Sequence, residues 1–251
     1  MMTPVVQWRG AVRLSELGPE GWVWPHRYLE WMQEAAALAS TAAGYPPERY
    51  QAMGAAWIVR EICLAVDGAP AFGDPLEVDT WVSDLRRFRS HRQYRIRAAG
   101  RVVARAEVEW LFLSLDQATQ KVRPRHPDDA QRAAFPLWPE RVLGPDEVPV
   151  WPAEVDPQPG LRRERRVEPT EIDRHGHVNH VHYLAWLEDQ AREAGTPGPL
   201  TFARLRYEAD ARPLDLLVEH LSAVDGGGYH RIHRGPDLVL RGLTRRRVVP
   251  V

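Results

Sequence analysis

Tyr28-Leu29-Glu30-Trp31-Met32-Gln33-Glu34-Ala35-Ala36 returns later in the chain as Tyr183-Leu184-Ala185-Trp186-Leu187-Glu188-Asp189-Gln190-Ala191. Tyr, Leu, Trp and the final Ala coincide, and acidic and amide residues change places between them. Around the second copy, Val178, Val181, Leu184, Leu187, Ala191 and Ala194 recur every three or four positions, the period of one face of a helix. Asn179 offers an N-cap and Gly195 a C′ stop. A histidine stands before each repeated segment (His26, His180), and a glycine (Gly44, Gly195) follows it.

The parallel extends outward. Trp57-Ile58-Val59-Arg60-Glu61-Ile62 and Gly73 to Val82 follow the first segment; Phe202-Ala203-Arg204-Leu205-Arg206-Tyr207 and Arg212 to His220 follow the second. Each copy closes with two more strand-like runs, Gln93–Arg97 and Val102–Phe112 in the first, Tyr229–His233 and Leu238–Val249 in the second. One unit of a strand, a long helix and an antiparallel sheet is therefore expected twice, an α+β fold in tandem. The units are expected at residues 1–123 and 161–251. Between them, residues 124–160 carry nine prolines with Trp138 and Trp151 among them, a linker expected to pack along the surface.

Only the second copy carries a concentration of titratable groups. Asp173-Arg174-His175-Gly176-His177-Val178-Asn179-His180-Val181-His182-Tyr183 holds four of the chain's 10 histidines beside a carboxylate and an amide. The first copy has Gly21-Trp22-Val23-Trp24-Pro25 in the lead-in. A fold gains little from stacking such groups, whereas a catalytic site needs them together. Gly176 and His177 stand at the mouth of a helix N-terminus, where unpaired amides favour developing negative charge, and Gly176 admits close approach of a substrate carbonyl. A metal site built from His175, His177, His180 and His182 is the competing reading; their spacing of two does not suit convergence on one ion, and none is expected.

Composition narrows the function classes. A formal charge of −1 argues against nucleic acid as a partner. The single Cys63 excludes an internal disulfide and a Cys-rich zinc site, and its place in a strand-like run suggests a buried, inert thiol. No apolar run approaches the roughly 20 residues that cross a bilayer. Residues 1–10 lack the apolar core of a signal peptide, so the cytoplasm is the expected location.

With the repeat and the Asp-x-x-Gly-His-Val-Asn motif in view, the chain resembles the acyl-ACP thioesterases. The resemblance covers roughly residues 5–220. It is carried by Gln33-Glu34-Ala35-Ala36, Trp57-Ile58-Val59-Arg60, Gly73-Asp74-Pro75-Leu76-Glu77-Val78-Asp79-Thr80-Trp81-Val82, Asp173, His177-Val178-Asn179 and Tyr183. It implies a double hotdog, a long helix wrapped by an antiparallel sheet twice in one chain. It also implies thioester hydrolysis without a metal or organic cofactor. The motif aspartate falls on Asp173 and the motif histidine on His177. The family's asparagine falls on His175, its catalytic glutamate near Asp210, and a cysteine often found beside that glutamate on Ala211. Glu208, expected on the same strand face as Asp210, and Asp173 remain alternatives as the general base. Asp173 is expected to orient the histidine rings, as a carboxylate fixes an imidazole tautomer. Gly176, Val178, Asn179, Trp57 and Met32 are the expected substrate-contacting residues. The substrate implied is fatty acyl-acyl carrier protein, with acyl-CoA as the alternative; a catalytically inactive acyl-thioester binding protein is the rival from another class. Two hotdogs in one chain suit either a monomer or a homodimer.

Overall fold

The repeat in sequence is a repeat in structure. The computed structural model describes residues 5–115, 122–152, 160–196, 198–224 and 226–247. In the first half, β1 (Val6–Ala11) runs through a 3₁₀ turn at Leu14–Glu16 into α1 (Pro25–Ala42). The short α2 (Pro47–Ala52) follows, then β2 (Ala55–Val66), β3 (Pro75–Arg86), β4 (Arg89–Ala98) and β5 (Arg101–Leu115). A connecting segment carries β6 (Val122–Pro124) and α3 (Asp129–Ala134). The second half repeats the plan: β7 (Leu161–Arg166), a 3₁₀ turn at Pro169–Glu171, α4 (His180–Glu193), β8 (Leu200–Tyr207), β9 (Leu216–Val224), β10 (Gly227–Arg234) and β11 (Asp237–Arg246).

The strands form one antiparallel sheet in the order β1-β3-β4-β5-β2-β8-β11-β10-β9-β7, with β6 added beside β5. The order 1-3-4-5-2 of the first half recurs as 7-9-10-11-8 in the second. The halves meet where Ile62 pairs with Leu205 and Leu64 with Ala203. This is the tandem hotdog that the resemblance implies. Both helices lie on one face of the sheet, and a single core joins Leu29 and Met32 of α1, Leu184 and Leu187 of α4, and Ile62, Leu64 and Leu205 of the sheet. Each such aliphatic side chain contributes roughly 1.5–3 kcal/mol by leaving water.

Alternation along β2 sends Cys63 and Ala65 to the opposite face. There they meet Trp81, Phe202 and, from the connecting segment, Val142 and Leu143. Burial and the neighbouring Glu61 push the Cys63 thiol up to about 12, so it stays protonated. Trp151 lies under the guanidinium groups of Arg204 and Arg241, 4.5 and 5.4 Å from its ring. Residues 153–159 of the expected linker lie outside the described residues, as do Val248 and Val249 of the last expected strand.

The helix ends follow local chemistry. Asn179 caps α4 by accepting from the Val181 N–H at 3.3 Å, and Gly195 follows the C-cap with φ +69°. The histidines expected just ahead of the helices are part of them: α1 begins at Pro25, a residue suited to a helical first turn, and α4 at His180 itself.

Candidate active site

The loop before each long helix has the same backbone in both halves. In the second, Asp173 N–H donates to His177 O at 2.8 Å and Gly176 N–H to Asp173 O at 3.0 Å. In the first, Gly18 N–H donates to Trp22 O at 2.7 Å and Gly21 N–H to Gly18 O at 2.9 Å. Gly176 and Gly21 occupy the left-handed region at φ +80° and +81°, where any other residue is strained. Behind each loop a carboxylate of the 3₁₀ turn holds an indole of the helix: Glu16 accepts from Trp31 at 3.1 Å and Glu171 from Trp186 at 2.8 Å. The scaffold is thus duplicated, and only the side chains differ. Asp173, His175, His177 and Asn179 stand where the first half has Gly18, Glu20, Trp22 and Trp24.

Asp173 ties its loop from within. Its Oδ1 accepts from the backbone N–H groups of His175 at 2.7 Å and His177 at 3.3 Å. The expectation that this carboxylate holds the histidine rings is corrected: it holds their backbone. The partner of the His177 ring is Asp210. Val178 N–H donates to Ala211 O at 2.9 Å, which fastens the loop to the segment after β8 and leaves the preceding residues side by side. His177 Nε2 lies 3.4 Å from Asp210 Oδ2, just beyond hydrogen-bond length. Both side chains are a little more than a third exposed.

Asp210 is set for this place by cations. Arg212 Nε donates to its carboxylate at 2.8 Å and Arg234 Nη1 to its carbonyl at 3.0 Å. Partial burial works against the Asp210 charge, but Arg212 and His177 outweigh it and hold the group below the usual aspartate range. Glu208 is engaged elsewhere. The shared strand face expected for Glu208 and Asp210 does not arise, because β8 ends at Tyr207. Glu208 pairs with Arg60 and Arg241, each at 2.6 Å, and with Arg206 at 3.2 Å. Burial raises its pKa, yet these guanidinium groups outweigh it and keep the carboxylate ionised.

The amides at the helix mouth are mostly occupied, contrary to expectation. Gly176 N–H serves Asp173 O, His177 N–H serves Asp173 Oδ1, Val178 N–H serves Ala211 O, and Asn179 N–H serves Glu171 O. Val181 N–H serves the cap. Between Gly176 and Val181, only His180 N–H has no acceptor among the described residues. The His180 ring is packed edge-on between Trp110 and Tyr207, and burial pushes its pKa down to about 4.

The other expected residues divide. His175 is exposed and uses only its backbone N–H among the described residues. Val178 is buried in the core. Asn179 borders a cleft of about 540 Å³ between α4, α1 and β1, together with Trp8, Arg13, Glu30 and His182. Trp57 stacks on Phe112 at 4.9 Å, and Met32 is buried between helix and sheet, so neither is brought to the His177–Asp210 pair. Among the described residues no three His, Cys, Asp or Glu side chains converge as metal ligands, and no helix is long and apolar enough to cross a membrane. Arg212, Arg234 and Glu171 escaped the sequence reading. Extending the repeat upstream matches Glu16 with Glu171; nothing local marks the two arginines.

Known proteins share this architecture. The sequence profile of the acyl-ACP thioesterase N-terminal domain matches residues 11–130. A chloroplastic acyl-[acyl-carrier-protein] hydrolase of Cuphea viscosissima is 26% identical over 200 residues, 78% of this chain and 47% of that protein. A chloroplastic palmitoyl-acyl carrier protein thioesterase of Cuphea hookeriana is 25% identical over 87% of this chain and 55% of that protein. The chain spans about half the length of these curated relatives. Among solved structures, the 12:0-ACP thioesterase from Umbellularia californica has a TM-score of 0.85 at 20% identity, with 98% of both chains covered. An acyl-ACP thioesterase from Bacteroides thetaiotaomicron has a TM-score of 0.83 at 15% identity, covering 97% of this chain and 98% of that one. These two likenesses are of fold. Profile, relatives and fold agree: residues 11–130 match the acyl-ACP thioesterase N-terminal domain, and the chain is similar to acyl-ACP thioesterases over most of its length.

Proposed function

We propose that the chain is a thioesterase that hydrolyses fatty acyl-[acyl carrier protein] to free fatty acid and carrier thiol. The observation that carries this reading is the His177–Asp210 pair, found in one of two otherwise matching loops; three residues on, the His180 N–H has no acceptor among the described residues. A ring nitrogen backed by a carboxylate is a general base for water. The free N–H at a helix N-terminus is a donor for an oxyanion.

The thioester carbonyl accepts from His180 N–H. His177 takes a proton from water through Nδ1 as the oxygen attacks the carbonyl carbon, and Asp210 balances the imidazolium at Nε2. The tetrahedral intermediate collapses, the C–S bond breaks, and the thiolate leaves with its electron pair. The proton on His177 passes to the thiolate or to solvent. Asp173 holds the loop in place, and the exposed His175 lies at its mouth. The cleft beside Asn179 is of a size that suits a ligand arm. The names of the curated relatives support acyl carrier protein as the carrier. A cytoplasmic location, the half boundaries at 123 and 161, and a working unit of one chain or a homodimer belong to the same proposal.

The test is free-thiol release from acyl-ACP and acyl-CoA substrates of graded chain length. Turnover of acyl-ACP is expected, lowered at least ~100-fold in His177→Ala. Turnover of CoA esters alone would make it an acyl-CoA thioesterase. Binding without turnover would make it an inactive acyl-thioester binding protein.

A further inference from the structure

Arg92 sits on the face of β4 that carries Tyr94, Ile96 and Ala98 into the core. Its neighbours in that row are Ser90 and Tyr94, and it is only 8% exposed. A guanidinium has five N–H donors and cannot shed its charge in a protein. At this position one acceptor is on hand, the hydroxyl of Thr80 at 3.3 Å from Nη1. That hydroxyl already donates to Gln93 O at 2.9 Å. No carboxylate pairs with Arg92 among the described residues. Elsewhere the half-buried arginines are matched: Arg97 with Asp79, Arg105 with Asp67, Arg204 with Glu61. An unpaired buried charge is among the most costly things a fold can hold.

Beside Arg92 lies a cavity of about 50 Å³. Its wall is made by Ala39 and Ala42 in the last turn of α1 and by Ala43 just after it, together with Thr80 and Phe135. Small side chains leave the room. The space exceeds the share of one water, about 30 Å³ in the liquid, and falls far short of a drug-sized ligand. The lining contains no acidic side chain.

We propose that this cavity is a binding site for a small monovalent anion of halide or formate size, held by the N–H groups of the Arg92 guanidinium that Thr80 leaves free. The anion supplies the counter-charge that the protein omits, and Arg92 supplies charge-assisted donors in a planar fork. None of the lining residues belongs to the His177–Asp210 site, so the proposal stands apart from the thioesterase reading.

Thermal unfolding of the whole chain tests it, in sodium formate, sodium bromide and sodium gluconate at equal ionic strength. Gluconate is too large for the cavity. Formate and bromide are expected to raise Tm by about 2–5 °C over gluconate, as a ligand of the folded state does when present well above its Kd. Arg92→Met, which keeps the bulk and drops the charge, is expected to abolish the difference. A crystal grown in bromide gives an answer that needs no variant: an anomalous peak beside Arg92 supports the site. Equal Tm in all three salts, or a difference that persists in Arg92→Met, overturns it, as does a bromide map with no peak there.

Discussion

His177 and Asp210 come from segments on either side of α4 and β8, and they meet because one backbone hydrogen bond, Val178 to Ala211, fastens those segments together. Two carboxylates compete for the role of partner, and their surroundings separate them. Glu208 is surrounded by three guanidinium groups, whereas Asp210 offers an oxygen to the imidazole. Asp210→Asn is expected to lower kcat by roughly 10–100-fold, because the amide keeps the shape and loses the charge behind His177. Glu208→Gln should leave kcat within about threefold and lower stability by roughly 1–3 kcal/mol, the cost of weakening charged hydrogen bonds. The reverse pattern in steady-state kinetics would transfer the role to Glu208. Asp173 separates in a similar way. Asp173→Asn keeps an acceptor for both loop N–H groups, while Asp173→Ala frees them at a cost of roughly 1–3 kcal/mol in urea unfolding. A loss of activity in the Asn variant at unchanged stability then reports the charge alone.

At the scale of elements, the 3₁₀ turn, loop and long helix form a unit that the chain uses twice. The unit holds together through a buried acid. Glu16 accepts from Arg13 N–H at 2.8 Å, from the Arg13 guanidinium, and from Trp31 Nε1. Burial pushes its pKa up, but these donors outweigh burial and keep it ionised. Glu16→Ala removes all four hydrogen bonds that the carboxylate accepts and leaves an indole N–H without its partner. It is expected to cost roughly 2–3 kcal/mol of stability, measured by urea unfolding, while the His177–Asp210 distance in the other half is unchanged. A cost below about 0.5 kcal/mol would show that water replaces the carboxylate there. Gly176→Ala meets no atom within 4 Å, so its penalty is the left-handed backbone alone, about 1 kcal/mol.

At the scale of the whole molecule, the unbroken β2–β8 junction makes the halves one sheet, so a single calorimetric transition is expected. The second half also holds a buried polar chain. Thr244 meets His230 Nε2 at 2.9 Å, His230 Nδ1 meets Gln190 at 2.8 Å, and Gln190 donates to Glu219 at 3.1 Å. Glu219 in turn accepts from Arg163 and Arg165. Burial, reinforced by Arg246, pushes His230 from 6.5 down to about 3. The folded pKa lies below the unfolded one, so the unfolded chain takes up the proton more readily in acid. The stability tied to neutral His230 is therefore complete above pH 6.5 and drains away as the pH falls toward about 3. Tm should fall through that window, and a His230→Gln variant should show a shallower fall. An identical slope in the variant would place the acid sensitivity in other groups, with His26 and His180, both lowered to about 4 mainly by burial, next in line.

The helices, their caps and the doubling of the unit were determined by the sequence alone, because periodicity, an Asn before a helix and a Gly after it act within a few residues of themselves. The Asp173-to-Asn179 motif was legible for the same reason. Long-range geometry decided the rest. Only the return of the chain after β8 brings Asp210 to His177, and only the end of β8 at Tyr207 turns Glu208 toward the arginines. The loop's own hydrogen bonds, which close every amide from Gly176 to Asn179 and leave that of His180, depend on acceptors as distant as Ala211. Arg92 stands in the sequence within the basic run from Arg86 to Arg97, where nothing local marks it as buried. Strand alternation in a sheet covered by α1 turns it inward, and a one-dimensional pattern cannot say which side of a strand a helix will cover.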